Sequence, residues 1–209
     1  MILINGSFFI FIGVLCYVVL RGLFIGRRYR NQLNVQWIRE IIIFLFNLSL
    51  VMVISVTLFP FPIGFQYQNG DFLQSMNIVP LISVIENINQ IGTAYDGDVL
   101  FMVYLIIRNV GGNILLLMPL GFLAPILWKR LRSFKAVSLL GLSASVTIEL
   151  LQLFQRFGGG WGRITDIDDV IFNVLGTVIG YLVYVVIFKI GNKLDIKVLR
   201  KLGTYLMLP

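Results

Sequence analysis

Five long apolar stretches, separated by more polar segments, constrain this chain more than any other feature. They comprise residues 7–25, 41–59, 99–128, 138–156 and 165–188. A helix needs about 20 largely apolar residues to cross the hydrocarbon core of a bilayer, and each stretch is close to that length or exceeds it. Only 13% of the residues are charged, whereas about a quarter are charged in soluble domains. The sequence therefore predicts an all-α, polytopic membrane protein with about five transmembrane helices.

The basic residues are distributed unevenly among the segments that flank these stretches. With five spans, the segments after the first, third and fifth stretches lie on one side, and these three carry the basic clusters. By the positive-inside rule that side is the cytoplasm, which puts the N-terminus outside and the C-terminus inside. The net charge of +7 then reflects topology and does not indicate nucleic-acid binding. The clusters are Arg27, Arg28 and Arg30; Lys129, Arg130, Arg132 and Lys135; and Lys189, Lys193, Lys197, Arg200 and Lys201.

We expect a single transmembrane domain over residues 1–209, with an accessory first span at 7–25 and a basic cytoplasmic tail at 189–209. The connection between the second and third stretches, 61–98, contains four acidic residues and no Lys or Arg. Within it, apolar residues recur at helical spacing between Ile78 and Ile88. This pattern predicts a short helix lying in the membrane interface, and a helix packed on the protein surface would satisfy it equally well.

Polar residues recur at helical spacing inside the last two apolar stretches. Steps of three and four put each set on one face of its helix. Charged and amide side chains at depth in a membrane are costly, so they usually face a partner or a wet cavity. The second set ends in two glycines four residues apart, a spacing that lets helices approach closely. The two sets are Gly141, Ser145, Glu149, Gln152 and Arg156, and Asp166, Asp169, Asn173, Gly176 and Gly180.

The third stretch is interrupted by polar and helix-bending residues. Gly111, Gly112 and Pro119 favour a kink or a break, and a break is tolerated in lipid only where protein or a cavity covers it. Asn113 is equally suited to bonding a neighbouring helix and to a functional role. The charge of Arg108 needs an anionic partner, and we expect Glu149 to supply it, with Asp169 competing for the same guanidinium.

In the five-span arrangement the polar residues of the third, fourth and fifth spans all fall in the outer half of the membrane. We therefore predict an outward-facing polar pocket between these spans. Its candidate ligand-binding residues are Arg108, Asn113, Glu149, Gln152, Arg163, Asp166, Asp169 and Asn173.

Two carboxylates in this set have the character of an acid–base pair. Glu149 in an apolar span and Asp169 near the water interface have different surroundings, which would separate their pKa values and suit general acid–base catalysis. They are the candidate catalytic residues. Asp168 is assigned instead to helix capping, because Thr165 and Asp168 have the spacing of a capping box.

The sequence predicts no metal ion and no cofactor. It contains no His and a single Cys, so the ligands that zinc and copper prefer are missing. Asp166, Asp169 and Glu149 would suit only a hard cation such as Mg²⁺ or Ca²⁺. Arg108 and Arg163 oppose that reading, since they would neutralise the acids or bind a phosphate or carboxylate. A wet pocket containing an ion-pair network is the preferred interpretation.

Four motifs occur in a defined order along the chain. They read NIVPL at 77–81, GNILLLMPLGF at 112–122, ELLQ at 149–152 and RITDIDDVIFNVLG at 163–176. In this order and spacing the chain resembles the VanZ-like family of bacterial membrane proteins over about residues 41–188. The resemblance implies a multi-pass protein of the bacterial cytoplasmic membrane, of the type associated with resistance to the lipoglycopeptide teicoplanin. It assigns no catalytic residues.

The resemblance and the polar pocket together predict a cell-surface function. We expect the protein to bind or alter a membrane lipid or a lipid-linked wall precursor so that lipoglycopeptides act less well, with the lipoglycopeptide itself as a second candidate partner. One alternative is a membrane enzyme that uses Glu149 and Asp169 on an outer-leaflet lipid or precursor. Another is a small transporter that uses the same carboxylates as a proton relay.

Overall fold

The computed structural model describes residues 2–63, 76–157 and 165–194. Arg163 and the basic residues Lys197, Arg200 and Lys201 lie outside these ranges. Within them the chain forms six α-helices. They are α1 (Gly6–Arg30), α2 (Trp37–Leu58), α3 (Ile82–Asn89), α4 (Val99–Leu127), α5 (Phe134–Phe157) and α6 (Ile167–Lys193).

Five of these helices are long and apolar enough to cross a membrane, namely α1, α2, α4, α5 and α6. Their most apolar 18-residue windows have mean hydropathies between 1.7 and 2.6. The predicted all-α polytopic membrane fold is confirmed. The third stretch is one helix that runs through Gly111, Gly112 and Pro119, so the alternative of a broken span is wrong.

Short strands were not expected from the sequence, and two pairs are present in the described residues. β1 (Ile2–Ile4) pairs antiparallel with β2 (Phe61–Ile63). β3 (Met76–Asn77) pairs in parallel with β4 (Thr165–Asp166). All four adjoin the end of the bundle where α2 and α5 finish and α4 and α6 begin. The β3–β4 pair brings the segment before α3 against the start of α6.

The short helix predicted in the long connection is confirmed as α3, although it begins at Ile82 rather than at Ile78. Leu81, directly before it, has a left-handed backbone with φ +63°, a conformation that does not continue a right-handed helix. Ile85 and Ile88 on its outer face are 51% and 50% exposed. Its predicted place in the membrane interface remains a prediction.

The closest packing of the bundle is between α4 and α6, and glycines make it possible. A Cβ atom added at Gly176 would lie 1.9 Å from the carbonyl oxygen of Ile114, and one at Gly180 would lie 2.1 Å from that of Met118. From the other helix, a Cβ at Gly121 would lie 1.9 Å from the carbonyl oxygen of Thr177. The predicted close approach through Gly176 and Gly180 is confirmed.

The apolar core lies where α2, α4 and α5 meet, around Val53, Leu117, Leu120 and Ile148. The first helix, α1, lies outside this core and has no buried residue. It is attached to α2 by a two-pronged ion pair, in which Arg21 donates from Nε and Nη2 to the two carboxylate oxygens of Glu40 at 2.6 and 2.8 Å. The buried residues of this core therefore come from α2, α4 and α5.

Candidate functional site

A cavity of about 550 Å³ lies at the end of the bundle where α4 and α6 begin. Side chains from α2, α3, α4, α5 and α6 line it. Seven of the eight predicted ligand-binding residues are among them, and the eighth, Arg163, lies outside the described residues. The seven are Arg108, Asn113, Glu149, Gln152, Asp166, Asp169 and Asn173.

The polar face of α5 is buried where it meets the cavity. Ser145 is fully buried, Glu149 is 5% exposed and Gln152 is 7% exposed. Gln152 donates from Nε2 to the carbonyl oxygen of Thr57 at 3.0 Å. That oxygen belongs to the last turn of α2, where carbonyls lack a partner within the helix. Gln152 therefore also satisfies the end of α2, whereas Arg156, on the same predicted face, is exposed and does not line the cavity.

Asp166 connects three segments of the site. Its Oδ1 accepts from the Asp168 main-chain nitrogen at 2.9 Å and from Asn77 Nδ2 at 3.1 Å. Its Oδ2 accepts from the Ser83 hydroxyl at 2.5 Å. Its own main-chain nitrogen donates to Glu149 Oε2 at 3.2 Å. One aspartate thus caps α6 and holds α3 and α5 beside it.

The capping role predicted for Asp168 is wrong. The residue that caps α6 is Asp166, because the chain is still extended there, in β4, and the helix begins only at Ile167. Asp168 is 3% exposed, and its Oδ1 accepts from the main-chain nitrogen of Leu81 at 2.5 Å. It therefore attaches the start of α3 to α6.

Two amide side chains, those of Asn113 and Asn173, form hydrogen bonds between neighbouring spans. Asn113 on α4 donates through Nδ2 to Asp169 Oδ1. Asn173 is 1% exposed and donates through Nδ2 to the Ser145 hydroxyl at 3.0 Å. Of the two roles considered for Asn113, the bond to a neighbouring helix is thus present, and the bond's acceptor is a cavity carboxylate.

Arg108 is on the cavity wall, but the expected ion pair with Glu149 is not formed. Within the described part of the chain, the salt bridge is that of Arg21 with Glu40. The Arg108 side chain is exposed, and its guanidinium carbon lies 5.9 Å from the centre of the Tyr104 ring. Arg108 therefore lies on the cavity wall without an ion pair to a described carboxylate.

Sequence reasoning missed the contribution of α2 and α3. Thr57, Ser83 and Asn87 line the cavity, and Asp168 joins them. The signal for Asn77, which bonds Ser83 and Asp166, was its place in the NIVPL motif. No sequence pattern pointed to Ser83.

The described side chains do not form a metal site. Among residues 2–63, 76–157 and 165–194, no three His, Cys, Asp or Glu side chains are grouped so that they could hold a metal ion.

Comparison with protein-family models shows which family this chain belongs to. The model of the VanZ/LLP1 family matches residues 44–189. The chain belongs to the VanZ/LLP1 family. The matched range begins within α2 and contains every residue that lines the cavity. The first helix, α1, lies before it. Searches of curated proteins and of solved structures found no significant match. The cavity is therefore built from the part of the chain that carries the VanZ/LLP1 relationship.

Proposed function

We propose that this VanZ/LLP1 protein binds the polar head of an outer-leaflet lipid or lipid-linked cell-wall precursor in its cavity. In doing so it lowers the susceptibility of a bacterium to lipoglycopeptides such as teicoplanin. The protein acts from the bacterial cytoplasmic membrane, with the cavity facing outwards. The observation that carries the proposal is the exposed guanidinium of Arg108 at the wall of a polar cavity.

The depth of Arg108 supports a lipid phosphate as its partner. Arg108 is nine residues into α4, which begins at Val99, and at 1.5 Å per residue this is about 14 Å along the helix. A charge at such a depth is costly unless it is paired or wet. A guanidinium binds phosphate in a planar, two-pronged geometry, and phosphate is the anion that a lipid head carries.

The cavity itself has the size and lining of a ligand site. Its volume of about 550 Å³ falls within the range of about 300 to 1,000 Å³ typical of small-molecule pockets. Thr57, Ser83, Asn87 and Asn113 place hydroxyl and amide groups on its wall, while Ile106 and Leu116 add apolar surface. This mixture suits a polar head that is attached to an apolar chain.

Binding of a lipid or precursor explains an effect on antibiotics without requiring the protein to touch them. In the proposed orientation the cavity opens at the outer surface of the membrane, so the bound head lies on that side. A protein that holds or masks the precursor head there lowers the amount of target that the antibiotic reaches. The same reasoning predicts that loss of the site restores susceptibility.

The second candidate function is catalysis on the same bound head. Glu149 is 5% exposed and accepts a main-chain hydrogen bond, whereas Asp169 is half-buried and bonded to Asn113. Two carboxylates in different surroundings are the arrangement that acid–base catalysis uses. Asp169→Asn distinguishes the two functions, because it removes the capacity for proton transfer while keeping an oxygen that accepts from Asn113.

The proposed function is tested in a teicoplanin-susceptible bacterium that expresses wild-type protein, Arg108→Met or the matched control Arg156→Met. Arg156 is also exposed at this end of the bundle but lies off the cavity wall. At equal membrane abundance we expect the wild type and Arg156→Met to lower susceptibility and Arg108→Met to lose the effect. Equal protection by Arg108→Met, or no effect of the wild type, would contradict the proposal.

A further inference from the structure

The described wall of the cavity is rich in negative charge. It includes four carboxylates, those of Glu149, Asp166, Asp168 and Asp169, and the guanidinium of Arg108. Because Arg108 is not paired with a described carboxylate, the wall offers a ligand both carboxylates and a guanidinium. A ligand that binds both kinds of group carries a positive group and a negative group.

Two buried acceptor oxygens on this wall lack a donor. Asp168 Oδ2 and Asn173 Oδ1 have no hydrogen-bond partner among the described residues. Asp168 is 3% exposed and Asn173 is 1% exposed. An unsatisfied polar atom in such surroundings is costly, and a charged oxygen more so. Each atom therefore lacks a hydrogen bond that a donor group of a ligand in the cavity would supply.

The acceptor oxygens of Asp168 and Asn173 determine which kind of donor group would bind there. An anion would meet only acceptors at Asp168 and Asn173. A hydroxyl group has one proton to donate, whereas an ammonium group has three N–H donors and a positive charge. A metal ion needs its oxygen ligands close together in a defined geometry, and no group of three acidic side chains within the described residues provides one. The best match is a primary ammonium group.

We infer that the cavity recognises a lipid head that carries a primary ammonium group next to its phosphate. The ammonium group lies at the carboxylate of Asp168, and the phosphate lies at Arg108. This inference rests on the proposed function, since it specifies which head the cavity binds. It gives Asp168 two tasks: Oδ1 holds Leu81 and Oδ2 accepts from the ligand.

The test compares three short-chain phospholipids with equal acyl chains against the purified full-length protein in detergent, with binding measured by native mass spectrometry. Phosphatidylethanolamine has the ammonium group, phosphatidylcholine keeps the charge without N–H donors, and phosphatidylethanol keeps only the phosphate. A hydrogen bond to a charged group corresponds to about a tenfold to a hundredfold change in affinity. We expect phosphatidylethanolamine to bind more tightly than either of the others by a factor in that range.

A variant locates the ammonium group. Asp168→Asn keeps an oxygen that can accept from Leu81 but removes the charge, so we expect the preference for phosphatidylethanolamine over phosphatidylethanol to fall about tenfold. The matched control is Asp98→Asn, which removes one charge at the same end of the bundle and keeps an oxygen that can cap α4. We expect Asp98→Asn to retain the wild-type preference.

Because the comparison of lipids uses the wild-type protein, it does not depend on whether a variant folds. Equal affinity for phosphatidylethanolamine and phosphatidylethanol would overturn the ammonium inference and leave the proposed binding of a lipid head intact. Equal affinity for phosphatidylethanolamine and phosphatidylcholine would likewise overturn it, because N–H donors would then be irrelevant. If none of the three lipids binds, the ammonium inference fails. The proposed function fails separately, if Arg108→Met protects against teicoplanin as well as the wild type does.

Discussion

Arg108 and Glu149 line the same cavity without forming an ion pair in the described part of the chain. Glu149 is buried and accepts from the main-chain nitrogen of Asp166, whereas the Arg108 side chain is exposed near Tyr104. The two charges therefore act on different partners. The cavity keeps its guanidinium available for a ligand, and its buried carboxylate is part of the framework that positions α6.

This arrangement predicts that the effects of Arg108→Met and Glu149→Gln on stability add. Residues without a direct contact usually show additive changes in the free energy of unfolding, within about 0.5 kcal/mol. We expect Glu149→Gln to lower thermal stability and Arg108→Met to change it little, since Arg108 is exposed. Thermal unfolding of the two single variants and the double variant in detergent provides the measurement. A double variant that regains the stability lost by Glu149→Gln would show that the two residues are paired after all.

The crossing of α4 and α6 predicts a strong effect of side chains at two glycines. At Gly176 and Gly180 even a Cβ atom would fall within 2.1 Å of a main-chain oxygen, so the backbones must move apart to admit Leu. Overpacking of this kind costs about 1 to 3 kcal/mol or more. We expect Gly176→Leu and Gly180→Leu to reduce folded yield and thermal stability.

The matched control for these variants is Gly111→Ala in α4, where a Cβ atom would have no neighbour within 4 Å. We expect Gly111→Ala to leave yield unchanged or to raise stability slightly, since alanine favours the helix. Unchanged yield in Gly176→Leu and Gly180→Leu would mean that this face of α6 does not pack on α4.

Asp169→Asn separates binding from catalysis. The variant keeps an oxygen that can accept from Asn113 but loses the charge and the capacity to transfer a proton. Since we propose a binding protein, we expect lipid affinity and protection against teicoplanin to fall together. Lipid binding that persists while protection disappears would favour the enzyme. Protection that is undiminished at equal membrane abundance would exclude Asp169 from the site.

The proposed orientation predicts the side on which each loop lies. Reporter fusions after Arg30, Lys135 and Lys193 should report a cytoplasmic location, and a fusion after Asp96 should report an external one. The basic clusters and the cavity lie at opposite ends of the helices, so one reversed result at Lys135 would place the cavity on the cytoplasmic side. The proposed action on lipoglycopeptides would then fail.

Structural features that depend on residues recurring at regular spacing along a single helix were predictable from the sequence. The spans followed from length and hydropathy, and the close approach at Gly176 and Gly180 followed from their four-residue spacing. The faces that carry Glu149 and Asp169 followed from steps of three and four, which is why the predicted residues converge on one cavity. Each of these features depends on residues that are near one another in the chain.

Features that depend on distant residues were not predictable. Asn77 and Asp166 are 89 positions apart, and their contact arises from the β3–β4 pair. That pair keeps Asp166 extended, which moves the cap of α6 from Thr165 to Asp166 and frees Asp168 to bond Leu81. The ion pair of Arg108 failed as a prediction for a related reason. A shared depth in the membrane does not decide which side chains face each other.

The phosphate-bearing lipid that the purified protein retains tests whether Arg108 binds a lipid phosphate in the cavity. Wild-type protein, Arg108→Met and the control Arg156→Met are extracted from bacterial membranes in the same mild detergent, and bound phospholipid and lipid-linked precursor are counted by native mass spectrometry. A guanidinium–phosphate bond in the cavity predicts one retained molecule of either kind in the wild type and in Arg156→Met, and its loss in Arg108→Met at unchanged thermal stability. Equal retention by all three proteins, or none in the wild type, would contradict the account.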